Sequence, residues 1–196
     1  MTIRKALINR RTAETQIEVS LSLDGSGKAE LDTGVPFLEH MLTLFALHGL
    51  FDLQVRARGD LEVDGHHTVE DVGLCLGEAL NEALGDKAGI KRYGSCLLPM
   101  DDALVLTAVD LSGRPYLGLD LPLTAGRIGD FDLELVPEFL RAFSNRGAFN
   151  LHVRRLTGEN NHHLVEALFK GLGRALGEAC SSDSRRREVP STKGVL

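Results

Sequence analysis

The chain says one thing twice. His66-His67-Thr68-Val69-Glu70 recurs as His162-His163-Leu164-Val165-Glu166, 96 residues further on. The surroundings recur with it. Phe37-Leu38-Glu39-His40-Met41-Leu42 begins a helical pattern that ends at Gly49, followed by the alternating Phe51-Asp52-Leu53-Gln54-Val55. At an offset of 98 residues, Leu135-Val136-Pro137-Glu138-Phe139-Leu140 begins a run that ends at Gly147, followed by Phe149-Asn150-Leu151-His152-Val153. The loop before the first histidine phrase therefore carries two extra residues. Each half closes on an amphipathic helix, with Val69, Val72, Leu76, Leu80 and Leu84 on one apolar face and Val165, Leu168, Leu172 and Leu176 on the other.

Strand-like stretches precede each helix. Thr15 to Leu23, the turn Asp24-Gly25-Ser26-Gly27, and Lys28 to Leu31 read as a hairpin; Leu104 to Leu111, Ser112-Gly113, and Tyr116 to Leu121 read as its counterpart. Each half is then β-β-α-β-α. The expected fold is α+β: two tandem pseudo-repeated halves, 1–88 and 89–196, forming one compact domain with mixed sheets packed on helices. Neither half carries a complete pair of the sites considered below.

Composition narrows the partners. Among 196 residues a net charge of −6, with no basic cluster outside the tail, argues against nucleic acid. No apolar run approaches 18 residues, and Met1-Thr2-Ile3-Arg4-Lys5 lacks the apolar segment of a secretory leader, so a cytoplasmic protein without a membrane span is expected. Cys75, Cys96 and Cys180 have no ligand-like spacing, and Cys75 falls in the apolar phase of its helix; no disulfide and no thiolate ligand are expected.

The duplicated phrase suits a metal. Successive helical residues are separated by about 100°, so i and i+4 share a face while i+1 points away. His66 and Glu70 can chelate one ion together, as can His162 and Glu166, whereas His67 and His163 look elsewhere. Two such helices related by pseudo-twofold symmetry build two sites, each taking a His/Glu pair from one helix and the odd histidine of the other. Imidazole and carboxylate without thiolate suit Mn²⁺, iron or zinc, and lean towards an octahedral ion such as Mn²⁺. A single copy reads equally well as polar residues at a helix start, where glutamate interacts favourably with the dipole. The repeat also pairs His40 with Glu138, both in the first turn of a helix, and adding one to each site leaves about two octahedral positions open for substrate.

At this point the chain resembles the imidazoleglycerol-phosphate dehydratase family of histidine biosynthesis. The motifs are Phe37-Leu38-Glu39-His40-Met41, Asp64-Gly65-His66-His67-Thr68-Val69-Glu70-Asp71, Asp110-Leu111-Ser112-Gly113-Arg114-Pro115, Asn161-His162-His163 through Glu166, and Pro190-Ser191-Thr192-Lys193-Gly194-Val195-Leu196. They span nearly the whole chain. The resemblance implies a ribosomal protein S5 domain 2-like fold and a homo-oligomer, a 24-mer built from trimers, with two Mn²⁺ per active site at subunit interfaces. One ion would take His40, His66, Glu70 and His163, and the other His67, Glu138, His162 and Glu166. Some members have His where this chain has Glu138, which keeps an anionic oxygen donor, and many have Ser where it has Thr192, which keeps the hydroxyl.

The reaction so implied is a hydro-lyase step, converting imidazole glycerol phosphate to imidazole acetol phosphate. Metals flanking the substrate ring would stabilise it as imidazolate, whose electrons expel the hydroxyl through a diazafulvene-like intermediate. By family position Glu14 is the acid/base. The substrate contacts implied are Glu14, His40, His48, His66, Glu70, Arg92, Arg114, His162, Lys170, Ser191, Thr192, Lys193 and Gly194. The phosphate needs such cations and donors because a dianion leaves water only for charge-assisted hydrogen bonds. Taken by itself, Ser181 to Leu196 reads as a mobile tail, expected to order over the phosphate. Two other readings are distinguishable. A dinuclear hydrolase requires a carboxylate bridging metals roughly 3.5 to 4 Å apart. A non-catalytic metal-linked assembly requires saturated coordination, and leaves Arg114 and Lys193 without a purpose.

Overall fold

Alternation lays down the first sheet. The structure, a computed structural model, describes residues 4–196, so the leader-free start expected at Met1, Thr2 and Ile3 lies outside the described residues. The first elements are β1 (Lys5–Arg11), β2 (Thr15–Ser22), β3 (Ala29–Asp32), α1 (Pro36–Gly49), β4 (Asp52–Gly59) and α2 (His66–Leu84). In β2, Thr15, Ile17, Val19 and Leu21 are buried, and in β4 Leu53, Val55 and Ala57 are, while Gln54, Arg56 and Arg58 face solvent. The order repeats with β5 (Tyr93–Met100), β6 (Ala103–Asp110), β7 (Tyr116–Asp120), the short β8 (Arg127–Ile128) and β9 (Phe131–Asp132), α3 (Leu135–Arg146), β10 (Asn150–Thr157) and α4 (Asn161–Cys180). Among the described residues no helix is long and apolar enough to cross a membrane.

The α+β duplication is present, with one more strand in the first half than the expected β-β-α-β-α and, counting the short β8 and β9, three more in the second. The sheets run β1-β2-β4-β3 and β5-β6-β10-β7. Neither expected hairpin forms: β2 pairs antiparallel with β1 and β4, and β6 with β5 and β10. The strands that were to close them, β3 and β7, instead lie parallel to β4 and β10. The physical reason lies in the helix that follows, because a strand joined to the next strand through a helix can return parallel to it. The leading strands escape a period-two reading, since Lys5, Arg10 and Arg11 charge β1 and Gly94 and Pro99 interrupt β5.

Register exposes the insertion between halves. Val19 faces Val55 and Thr107 faces Val153. Val55 and Val153 are 98 apart, but Val19 and Thr107 only 88, so ten residues have entered the second half between its third strand and its helix. That segment holds β8 and β9, which pair as a small hairpin.

The halves meet helix to helix and cross over in doing so: α1 packs on α4, and α2 on α3. Rings mark the centre. Phe45 stacks near Phe51 at 5.3 Å and its repeat partner Phe143 near Phe149 at 5.1 Å, while Phe45 and Phe143 meet at 6.0 Å. Glycines at equivalent positions allow the approach. A Cβ on Gly77 would lie 2.5 Å from Phe143 O and 2.7 Å from Gly147 N. One on Gly173 would collide with Phe45 O and Gly49 N in the same way.

Candidate metal centre and anion cavity

Local chemistry places the histidines. Asn160 caps α4, its side chain accepting from the backbone N–H groups of His162 and His163. Asp64 accepts from His66 N at 2.7 Å at the start of α2. Both phrases thus occupy first turns, where i and i+4 stand on one face. In α4 that face is complete: His162 Nε2 lies 3.1 Å from Glu166 Oε1. Because α1 packs on α4, His40 arrives from across the interface, with Nε2 2.9 Å from the same oxygen. The donor atoms of His40, His162 and Glu166 all lie within 4.8 Å of one another, and among the described residues they form the one such group.

Glu166 is a buried carboxylate whose other oxygen accepts from Lys170 Nζ at 2.6 Å. Burial alone would raise its carboxyl, but the hydrogen bonds from Lys170, His40 and His162 prevail and hold it at about 2. The carboxyl is therefore ionised and acts as an anionic donor.

The equivalent residues of the other helix pair, His66 and Glu138, line one cavity of about 910 Å³, and His40 reaches it as well. The inserted β8–β9 hairpin walls this cavity, with Phe131 packed on Phe37 at 5.0 Å and Phe37 edge-on to His162 at 5.6 Å. Glu138 meanwhile accepts from Arg141 at 2.6 Å. Glu70 is half-buried on α2, and no ligand-distance group closes around it and His66 within one chain among the described residues. Within one chain His40 stands with His162 and Glu166, because the crossover packing sets α1 against α4.

The odd histidines do look elsewhere. His67 Nδ1 is 2.9 Å from Asp60 Oδ2 and 3.8 Å from Glu14 Oε2; the hydrogen bond to Asp60 raises its pKa, desolvation opposes this, and the charge of Glu14 adds to the rise. His163 Nδ1 is 2.7 Å from Asp102 Oδ1, with Asp101 3.5 Å from its Nε2. Asp102 lies well below the usual carboxylate range, held there by His163 and by the backbone N–H groups of Glu159 and Asn160. A carboxylate on Nδ1 fixes the ring and raises the basicity of Nε2, the usual outer support of a metal-binding histidine. Asp60 also keeps a buried oxygen, Oδ1, without a partner. Imidazole and carboxylate donors of this kind fit a borderline divalent ion.

A second cavity, about 930 Å³, gathers the expected anion binders: Arg92, Arg114, Ser191, Thr192 and Lys193 all line it. Arg92 is held by Asp110 at 2.7 Å and donates to Pro190 O at 2.8 Å. The tail is tied to the chain before β5, with Asp183 N donating to Gly89 O and Gly89 N to Glu188 O. Gly194 takes a left-handed conformation, φ 73°. Lys170 and His48 stand outside this cavity: Lys170 is on Glu166, and His48, at the end of α1, has its pKa lowered by burial and by Lys170 and Arg174. Asp60, Asp102 and Arg185 to Arg187, the last lining the anion cavity, escaped the sequence. Only the pairing register gives a signal for Asp102. Cys75 and Cys180 are buried thiols pushed up to about 12, mainly by burial.

Comparison with known proteins follows the same residues. The profile of imidazoleglycerol-phosphate dehydratase matches residues 33–176. The imidazoleglycerol-phosphate dehydratase of Desulforudis audaxviator is 64% identical over 196 residues, covering 100% of both chains. That of Moorella thermoacetica is 59% identical over 98% of each. A crystal structure of the Staphylococcus aureus protein of that name has a TM-score of 0.83 at 40% identity, covering 91% of this chain and 99% of its own. One from Pyrococcus furiosus has a TM-score of 0.83 at 41% identity, covering 96% and 100%. On the profile, the full-length identities and the shared fold together, the chain belongs to the imidazoleglycerol-phosphate dehydratase family.

Proposed function

We propose that the protein is a hydro-lyase of histidine biosynthesis that removes water from imidazole glycerol phosphate to give imidazole acetol phosphate. The observation that carries this is the convergence of His40, His162 and Glu166 from opposite halves of the chain. Two Mn²⁺ ions per site would be held by His40, His66, His67, Glu70, Glu138, His162, His163 and Glu166. When bound, manganese supplies positive charge that polarises the imidazole ring.

The chain's own residues do the rest. Arg92, Arg114, Ser191, Thr192 and Lys193 take the phosphate, the two arginines offering planar forks for its oxygens. The phosphate anchor then holds the glycerol portion in a fixed relation to the ring. Glu14, beside His67 on the turn between β1 and β2, moves the proton released from carbon in the elimination. His48 and Lys170 complete the substrate contacts from the end of α1 and the face of α4. The β8–β9 hairpin lines the cavity that His40 and His66 share.

We place the protein in the cytoplasm as a homo-oligomer, with sites completed between subunits and the 24-mer of trimers as its form. The outer face of the second sheet supports assembly. Register-equivalent positions that are Lys5, Asn9, Gln16 and Glu18 on the first sheet are Tyr93, Leu97, Leu104 and Leu106 on the second. Tyr93 and Leu97 are 56% and 55% exposed in the single chain. The unit of duplication we set at 1–88 and 89–196, between α2 and β5.

The test follows product formation from imidazole glycerol phosphate before chelation, after it, and after Mn²⁺ is restored, with metal content and particle mass measured alongside. Loss and recovery of turnover with metal is the expected result. Full turnover in metal-free protein would overturn the proposal.

A further inference from the structure

The two halves use their equivalent carboxylates differently, and this difference assigns a role to Asp71. The 88-residue offset that relates β2 to β6 also relates Glu14 to Asp102, each in the turn between the first two strands of its half. In the second half Asp102 performs two tasks. One oxygen holds His163 Nδ1 at 2.7 Å, and the other accepts from Glu159 N at 2.8 Å and Asn160 N at 3.2 Å, so the turn is pinned to the start of the metal-binding helix. A side chain bonded in this way has no freedom to carry a proton.

In the first half both tasks pass to other residues. Asp60 holds His67 Nδ1 at 2.9 Å; its repeat equivalent at the 98-residue offset is Gly158, which has no side chain to offer. The turn is pinned instead by Asp71, a buried carboxylate on α2 one residue beyond Glu70. Asp71 Oδ2 accepts from Thr15 Oγ1, and Oδ1 accepts from Arg10 Nε at 2.9 Å. Thr15 passes the hold to Thr12, whose Oγ1 lies 3.1 Å from the Thr15 hydroxyl and accepts from Thr15 N at 2.9 Å and Glu14 N at 3.1 Å. The repeat equivalent of Asp71 is Ala167, which cannot do this.

We propose that Asp71, acting through Thr15 and Thr12, is the positioning residue that holds Glu14 at the metal-binding helix while leaving its carboxylate free. The proposal rests on the reading of Glu14 as proton carrier. Arg10 braces Asp71 from the outer side, so the carboxylate is tied on both oxygens and cannot rotate towards His67. Neither Asp71 nor Thr15 touches the reacting atoms; both act by placement.

The full-length, manganese-loaded protein tests this with Thr15→Val, which keeps the shape and removes the donor, and Thr15→Ser, which keeps the donor. A misplacement of about 1 Å can cost about a hundredfold in rate, so Thr15→Val is expected to lower kcat about tenfold to a hundredfold, with KM within about twofold. Manganese content should be unchanged, amide exchange at Glu14 and Thr15 should accelerate, and Thr15→Ser should restore kcat. In a Glu14→Gln background Thr15→Val should cost nothing further. Should Thr15→Val fail to fold, Arg10→Gln, at a partly exposed site, reads the same kcat and exchange rates. Wild-type kcat in a variant whose turn amides exchange fast, or a loss of kcat matched by loss of manganese, overturns the proposal. Full activity of Glu14→Gln instead removes the reading of Glu14, and the proposal with it; loss in Glu14→Gln with full kcat in Thr15→Val removes the role of Asp71 alone.

Discussion

Replacing Glu166 by Gln in chelator-treated protein should destabilise the fold in a way that depends on pH. The side chain of Glu166 is 10% exposed and is bonded to Lys170, His40 and His162. Its carboxyl sits at about 2 instead of 4.5. At roughly 1.4 kcal/mol for each tenfold change, that gap is worth about 3 kcal/mol of stability. The sign follows from the depressed value: the contribution is whole above the unfolded value and is lost as pH falls through the folded one. Urea unfolding of wild type and Glu166→Gln should therefore differ by about 3 kcal/mol near pH 7 and by less than half as much near pH 3. Lys170→Met should remove the largest single share of the effect, because Lys170 is the leading cause opposing burial. A difference that is the same at both pH values would mean that Glu166 contributes through packing alone, and the electrostatic account of the cluster would fall.

Two further outcomes are open to measurement. Gly77→Ala and Gly173→Ala gain helix propensity of about 1 kcal/mol but force backbone apart at both helix crossings, so each should lower stability by about 1–3 kcal/mol net, read by thermal unfolding. A rise in Tm in either variant would show that the crossings are loose. Leu97→Lys or Leu106→Lys on the outer face of the second sheet should reduce particle mass in light scattering while leaving the far-ultraviolet circular dichroism of the chain intact. An unchanged particle would remove that face from the assembly.

Much of this is legible in the repeat alone. Helix starts at His66 and His162 were readable because the apolar phase from Val69 and Val165 runs at helical spacing, and those residues are buried. The strands that precede them were harder, for register is a property of pairs. Nothing within Ala29-Glu30-Leu31-Asp32 says that it will lie parallel to β4 instead of turning back on β2. The same blindness hid Asp102, since the 88-residue offset exists only in strand pairing, and the helical phase preserves 96 and 98. Spacing along one helix reveals which side chains share a face, but not which other helix that face will meet. His40 found Glu166 because α1 crosses to the far half.

That crossing has a consequence for how such a chain came to exist. A lone half would leave the apolar flanks of both its helices in water, and the economical remedy is to clasp a second copy of itself. The fused polypeptide is then a dimer made permanent. Once both partners were written on one strand of sequence they no longer had to stay identical, and the turn that is Glu14 in one and Asp102 in the other became free to diverge.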